Sequence, residues 1–240
     1  MNERAVKHTK TKSPKSACRP ILAHSFLLNF FILPLFAFIS GRIALIFQNR
    51  FAFTSFFRNF AHNMMRKVRT IEMQRLTVEE FRQAEKMPLV VVLDDVRSMH
   101  NVGSVFRTAD CFRVQELVLC GITGCPPHAE LHKTALGAED CVSWRYFPTA
   151  LEAVKKLKEE GFMVLSVEQV EHSTKLPTFV PKHGVKYAIV LGNEVKGVHQ
   201  EVVDASDGCL EIPQLGTKHS MNVSVTAGIV IYHFAREIIF

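Results

Sequence analysis

The sequence predicts an α/β protein with a parallel sheet flanked by helices, and three observations carry that prediction. Short β-branched runs recur at residues 89–93, 116–120, 162–167 and 188–191, each continuous rather than alternating, as strands buried on both faces are. Helical stretches of ten to fifteen residues separate most of them, the length that a crossover between parallel strands needs. Polar residues with glycines beside them follow several of the runs, and strand ends of such sheets are where ligands bind.

From residue 64 the elements follow in order. Thr77 with Glu80 three residues on is a capping-box pattern, opening a helix that Pro88 is expected to end. Residues 89–93 form the first strand. A helix follows in the second half of 94–107, with Val102, Val105 or Phe106, Ala109 and Phe112 on one face. Residues 116–120 make a second strand, closed by a loop through Gly121, Gly124, Pro126 and Pro127. Thr149 and Glu152 form another capping-box pattern, its helix stopped by Gly161, and 162–167 is a third strand. Residues 188–191 end at Gly192, and 210–212 end at Pro213. Ser220 is read as the N-cap of a last, apolar helix carrying the small residues Ser224, Thr226, Ala227 and Gly228.

Residues 1–63 differ in kind. They hold nine Lys and Arg against one Glu, whereas 64–240 hold twenty against twenty-two Asp and Glu. The formal charge of +6 is therefore no evidence of a basic domain, and nucleic-acid contact would have to rest on local patches. Eleven of the nineteen phenylalanines fall between Phe26 and Phe60, behind Lys7, Lys10, Lys12, Lys15 and Arg19. Three readings of 1–63 are open: a start assigned too early, with Met64 or Met65 the true one; a membrane anchor at residues 21–47; or a targeting peptide. The six cysteines contain no C-x-x-C pair, which speaks against a zinc framework, and they are read as reduced core residues of a cytoplasmic protein.

Two nucleotide-binding patterns are excluded. No two glycines stand as G-x-G, so a Rossmann fingerprint is missing, and Val198 occupies the lysine position that the P-loop spacing of Gly192 and Gly197 would require. Three polar groupings remain. In Asn101-Val-Gly103-Ser-Val-Phe-Arg107, Arg107 lies one helical turn past Gly103, where its planar donors suit a phosphate or a ribose oxygen. Gly192-Asn193-Glu194 puts a carboxylate at a strand end, and Ser220-Met221-Asn222 opens the last helix. Singly these read as a surface arginine behind an Asn cap, a solvated turn and a plain N-cap. Together, after three strands of one sheet, they describe a site.

At these residues the chain resembles the SpoU (TrmH-like) branch of the SPOUT RNA methyltransferases. The family's three motifs are matched in order by Asn101 to Arg107, by Leu191-Gly-Asn-Glu194 with Gly197, and by Ile212-Pro213 through Ser224. Met221 stands where leucine is usual, a volume-conserving change. The resemblance covers residues 64–240 and implies a C-terminal trefoil knot, a homodimer, S-adenosyl-L-methionine as cofactor, no metal, and methylation of a ribose 2′-hydroxyl in tRNA or rRNA. It further implies that Arg107, Asn101, Glu194, Ser220 and Asn222 serve catalysis. Within that set Arg107 holds the 2′-oxygen and adjacent phosphate, and Glu194 orients the arginine or the ribose. Leu191, Gly192, Asn193, Gly197, Ile212, Leu215 and Met221 would hold the cofactor. A knotted RNA-binding protein without activity is the alternative, marked by loss of Arg107, Glu194 or Asn222.

Overall fold

The computed structural model describes residues 66–240. The chain divides into units Met1–Gln74 and Arg75–Phe240. The described part of the first holds one 3₁₀ turn, Thr70–Glu72, and an ion pair between Arg66 and Glu72 at 3.0 Å. The readings offered for residues 1–63 lie outside the described residues.

The second unit opens with helix α1 (Val78–Gln83), where the Thr77–Glu80 capping box is complete: each side chain takes the other's backbone N–H. Strand β1 (Met87–Asp94) follows, then α2 (Met99–Cys111), β2 (Val114–Cys120), α3 (Ala129–Ala135) and α4 (Ala138–Cys141). The middle holds β3 (Trp144–Phe147), α5 (Ala150–Glu159), β4 (Phe162–Val167) and β5 (Thr174–Lys175). The chain ends with β6 (Lys186–Leu191), α6 (Gln200–Ala205), β7 (Gly208–Glu211) and α7 (Val223–Ile238). The seven strands form one sheet in the order β3-β2-β1-β6-β4-β7-β5, and every pair is parallel.

Period-two alternation decides which residues meet which layer. Leu89, Val91 and Leu93 of β1 face a core shared with Val102, Val105 and Phe106 of α2 and Ala227, Val230 and Phe234 of α7. Val90 and Val92 face the opposite layer, against Ala153, Val154 and Leu157 of α5 and Val202 of α6. Residues 89–93 are all fully buried, which is why the strand reads as an unbroken apolar run. Strand β6 enters between β1 and β4, both earlier in sequence, so the ends of β1, β6, β4 and β7 gather beside one another.

Several expectations are corrected. Pro88 does not end α1, which stops at Gln83 with Ala84 already extended; Pro88 is the second residue of β1. A proline has no N–H for the ladder, and the β1–β2 register slips between Met87 and Val90, where it can be tolerated. Thr149 caps α5 by accepting from Glu152 N at 3.2 Å, but the reciprocal bond that would complete a box is not made. Of the five described cysteines, all free, only Cys120 is buried and Cys111 is exposed, so a uniform reading as core residues fails. Strands β3 and β5 and helices α3, α4 and α6 were not anticipated, each being seven residues or shorter.

Candidate active site

The loop between β1 and α2 turns sharply at Asp95, whose φ is +54°. Ser98 caps α2, its Oγ accepting from Asn101 N at 3.3 Å. Glu194, just beyond β6, brings a carboxylate to the same helix end. It accepts from Arg97 N and Ser98 N, both at 3.1 Å, and from Asn101 Nδ2 at 3.0 Å. The positive end of the α2 dipole suits that charge. Partial burial acts to raise the Glu194 pKa, but hydrogen bonds from its own backbone N–H, from Arg97, Asn101 and Ser98 outweigh it and hold the carboxyl below the usual range.

Asn101 passes the connection on. Its Oδ1 accepts from Asn222 Nδ2 at 3.1 Å, and Asn222 Oδ1 accepts from Ser224 N at 2.9 Å and Val225 N at 3.3 Å. Asn222, not Ser220, is therefore the N-cap of α7. The physical reason is the accepting geometry: two backbone N–H groups of the first turn point at the Asn222 side chain, and Ser220 lies two residues before that cap. Three residues 93 and 121 positions apart thus form one chain, Glu194–Asn101–Asn222, that ties together two helix N-termini.

The loop after β6 is folded by its own residues. Asn193 and Gly197 exchange backbone hydrogen bonds at 3.0 and 2.9 Å, and Asn193 Oδ1 accepts from Val195 N and Lys196 N. Asn193 Nδ2 donates to Asp95 O at 2.8 Å, so this side chain shapes the loop and docks it on β1. A Cβ on Gly192 would stand 2.1 Å from Gly197 C and from Val198 N, so only glycine lets the two limbs of the loop close.

Beside this loop lies a cavity of about 350 Å³. Of the predicted residues, Leu191, Gly192, Asn193, Glu194, Gly197, Ile212, Ser220 and Met221 line it. Leu215 does not: it is fully exposed, and its neighbour Gln214 takes the wall position. Arg107 is also apart. It is exposed on α2, six residues past Asn101, or about 9 Å along the axis. It makes no hydrogen bond or ion pair among the described residues and lines a second cavity of about 410 Å³ with Lys133 and Thr134. The expected contact of Glu194 with Arg107 is not made, because the Glu194 carboxylate is taken by Arg97, Ser98 and Asn101.

Three further residues escaped sequence reasoning. Glu168, after β4, accepts from Val198 N at 3.0 Å, and Gln169 Nε2 donates to His219 O at 2.7 Å, pinning the loop that precedes Ser220. Both line the first cavity. Buried Asp94 accepts from the backbone N–H of His199 at 3.0 Å and meets its Nδ1 at 2.9 Å, anchoring the far end of the β6 loop. The strand-end rule applied to β4 and β1 would have pointed to Glu168 and Asp94.

A parallel α/β sheet whose strand ends carry a glycine-walled cavity and two joined helix N-termini defines an α/β protein with a small-molecule site at its strand ends. Residues 88–232 match the SpoU rRNA Methylase family, and the chain belongs to that family. It is 31% identical over 166 residues to a tRNA (guanosine(18)-2′-O)-methyltransferase of Thermus thermophilus, covering 69% of this chain and 84% of that one. It is 30% identical over 150 residues to a 23S rRNA (guanosine-2′-O-)-methyltransferase of Neisseria meningitidis, covering 62% and 59%. The fold is similar to the A. aeolicus TrmH/SpoU tRNA modifying enzyme, at a TM-score of 0.59 and 24% identity over 67% of this chain and 81% of that one. It is also similar to an AdoMet-bound rRNA methyltransferase from Sinorhizobium meliloti, at a TM-score of 0.60 and 23% identity over 67% and 61%.

Proposed function

We infer that the chain is an S-adenosyl-L-methionine-dependent methyltransferase acting on a ribose 2′-hydroxyl of tRNA or rRNA. The observation that carries this reading is the hydrogen-bonded chain Glu194–Asn101–Asn222, which joins all three family motifs at the edge of the cavity after β6. The cavity fits the cofactor in size and chemistry. Its about 350 Å³ lies in the small-molecule range, and its wall combines apolar Leu191, Ile212 and Met221 with glycine-bearing backbone. When bound, S-adenosylmethionine supplies an electrophilic methyl carbon on a positively charged sulfur.

The protein's part is alignment, which supplies most of the rate when two reactants must meet in one geometry. Arg107 has no partner among the described residues, so its guanidinium is available to hold a phosphate and the 2′-oxygen. Its planar donors orient the 2′-oxygen. Glu194 acts on Asn101 rather than on Arg107. Arg107, Glu194 and Asn222, whose loss would mark an inactive RNA-binding relative, are all present.

The proposal extends to a homodimer. Val225, Ile229 and Tyr232 leave an exposed apolar stripe along α7, and the Tyr232 ring meets Phe112 of the Arg107 cavity at 6.0 Å between centroids. A trefoil knot in the last third of the chain, a catalytic unit of 64–240 and a cytoplasmic setting belong to the same reading. So does a reaction without metal. Asp94, Asp95 and His199 bring ligand-type atoms within 4.8 Å of one another, but the Asp94 carboxylate is already bound to His199. Among the described residues no helix is long and apolar enough to cross a membrane.

Calorimetry with S-adenosylmethionine, followed by transfer of a labelled methyl group to transcribed tRNA and rRNA, tests the function. One cofactor per chain and 2′-O-methyl nucleosides in the digested RNA are the expected results. Methyl groups found on bases, or no cofactor binding at millimolar concentration, would overturn it.

A further inference from the structure

The cavity at Arg107 has a chemistry of its own. It lies between α2 and α3, which approach so closely at Gly103 that a Cβ there would meet Thr134 Oγ1 at 2.2 Å and Leu131 O at 2.3 Å. Among the described residues no carboxylate lines it, and two cations do, Arg107 and Lys133. Arg107 is unpaired among the described residues. Among the described residues Lys133 reaches only Glu130, at 2.6 Å, with both side chains roughly half exposed. Such a pair contributes little and yields readily to a competing anion.

The hydroxyls add a second feature. Ser104 Oγ donates to His100 O at 2.7 Å, Thr108 Oγ1 to Ser104 O at 2.9 Å, and Thr134 Oγ1 to His100 O at 3.0 Å. Their hydrogens are spent on backbone carbonyls, so none of the three is a free donor to a ligand. Two cations in a polar-lined space match a phosphate. At about 410 Å³ the space takes a nucleotide rather than a bare phosphate.

We propose that this cavity is an RNA subsite that holds one nucleotide beside the ribose addressed by Arg107, with Lys133 gripping its phosphate. The assignment rests on the RNA methyltransferase reading. Lys133 acts in substrate binding.

The test uses the full chain with transcribed tRNA and rRNA. Lys133→Ala raises the RNA KM roughly five- to tenfold, leaves kcat within about twofold, and lowers the salt slope of RNA binding by about 0.7. Lys133→Glu weakens binding further, Lys133→Arg restores it, and S-adenosylmethionine affinity stays unchanged in all three. Glu130→Gln removes the competing carboxylate and tightens RNA binding. Unchanged KM and salt slope in Lys133→Ala and Lys133→Glu would overturn the subsite, as would equal losses in Lys133→Ala and Glu130→Gln. Wild-type protein that binds RNA without methylating it would sink the activity reading alone, the subsite then being judged on salt slopes. Wild-type protein that binds neither RNA would remove both.

Discussion

Replacing Glu194 separates its structural work from the catalytic work proposed for it. Its carboxylate accepts from Arg97 N, Ser98 N and Asn101 Nδ2. A hydrogen bond to a charged acceptor is worth about 1.5–3 kcal/mol when buried, but Glu194 is exposed and water re-solvates the freed donors. The loss in Glu194→Ala then approaches that of a helix N-cap, about 1–2 kcal/mol. In a unit of this size that lowers Tm by about 3–6 °C. Methyl transfer falls much further, because Asn101 loses the partner that fixes its amide.

The pH dependence gives an independent check. The folded-state pKa of Glu194 is depressed, so its contribution is present at neutral pH, above the unfolded value of about 4.3, and is lost as pH falls through the folded value. The Tm gap between wild type and Glu194→Gln should be widest near neutrality and close in acid. Scanning calorimetry across that range reads both effects. Identical Tm and identical pH dependence in wild type and Glu194→Ala would refute the role assigned to the carboxylate.

Asn222→Asp keeps the acceptor that caps α7 but loses the donor to Asn101, so it should stay within about 0.5 kcal/mol of wild-type stability while methyl transfer drops, whereas Asn222→Ala costs about 1 kcal/mol and activity together; urea melts beside turnover distinguish the two. Gly192→Ala forces apart the limbs of the β6 loop, and calorimetry should show S-adenosylmethionine affinity lost more than tenfold. Arg107→Ala should abolish single-turnover methyl transfer with cofactor affinity within a few fold, and Arg107→Lys should recover little, because an ammonium lacks the planar fork. Wild-type turnover in Arg107→Ala would remove the centre of the proposed chemistry.

The sequence by itself determined what depends on neighbours along the chain. Burial on both faces wrote 89–93 and 188–191 as unbroken apolar runs, and the Thr77–Glu80 box needed only residues three apart. The cavity wall after β6 was legible because Leu191 to Glu194 combine a strand end with glycine and polar side chains. Their partnerships were not. Whether Ser220 or Asn222 caps α7 depends on which side chain meets the first-turn N–H groups, and a shift of two residues leaves the local sequence pattern unchanged. Pro88 follows a helix in sequence and so read as its end, yet it enters a central strand where the β1–β2 register already slips. Glu194 found the N-terminus of α2 only because β6 inserts beside β1, and that insertion is fixed by packing between elements about a hundred residues apart. The same packing put Arg107 in a cavity of its own. Such contacts between distant residues are set by the assembled sheet, and no local spacing encodes them.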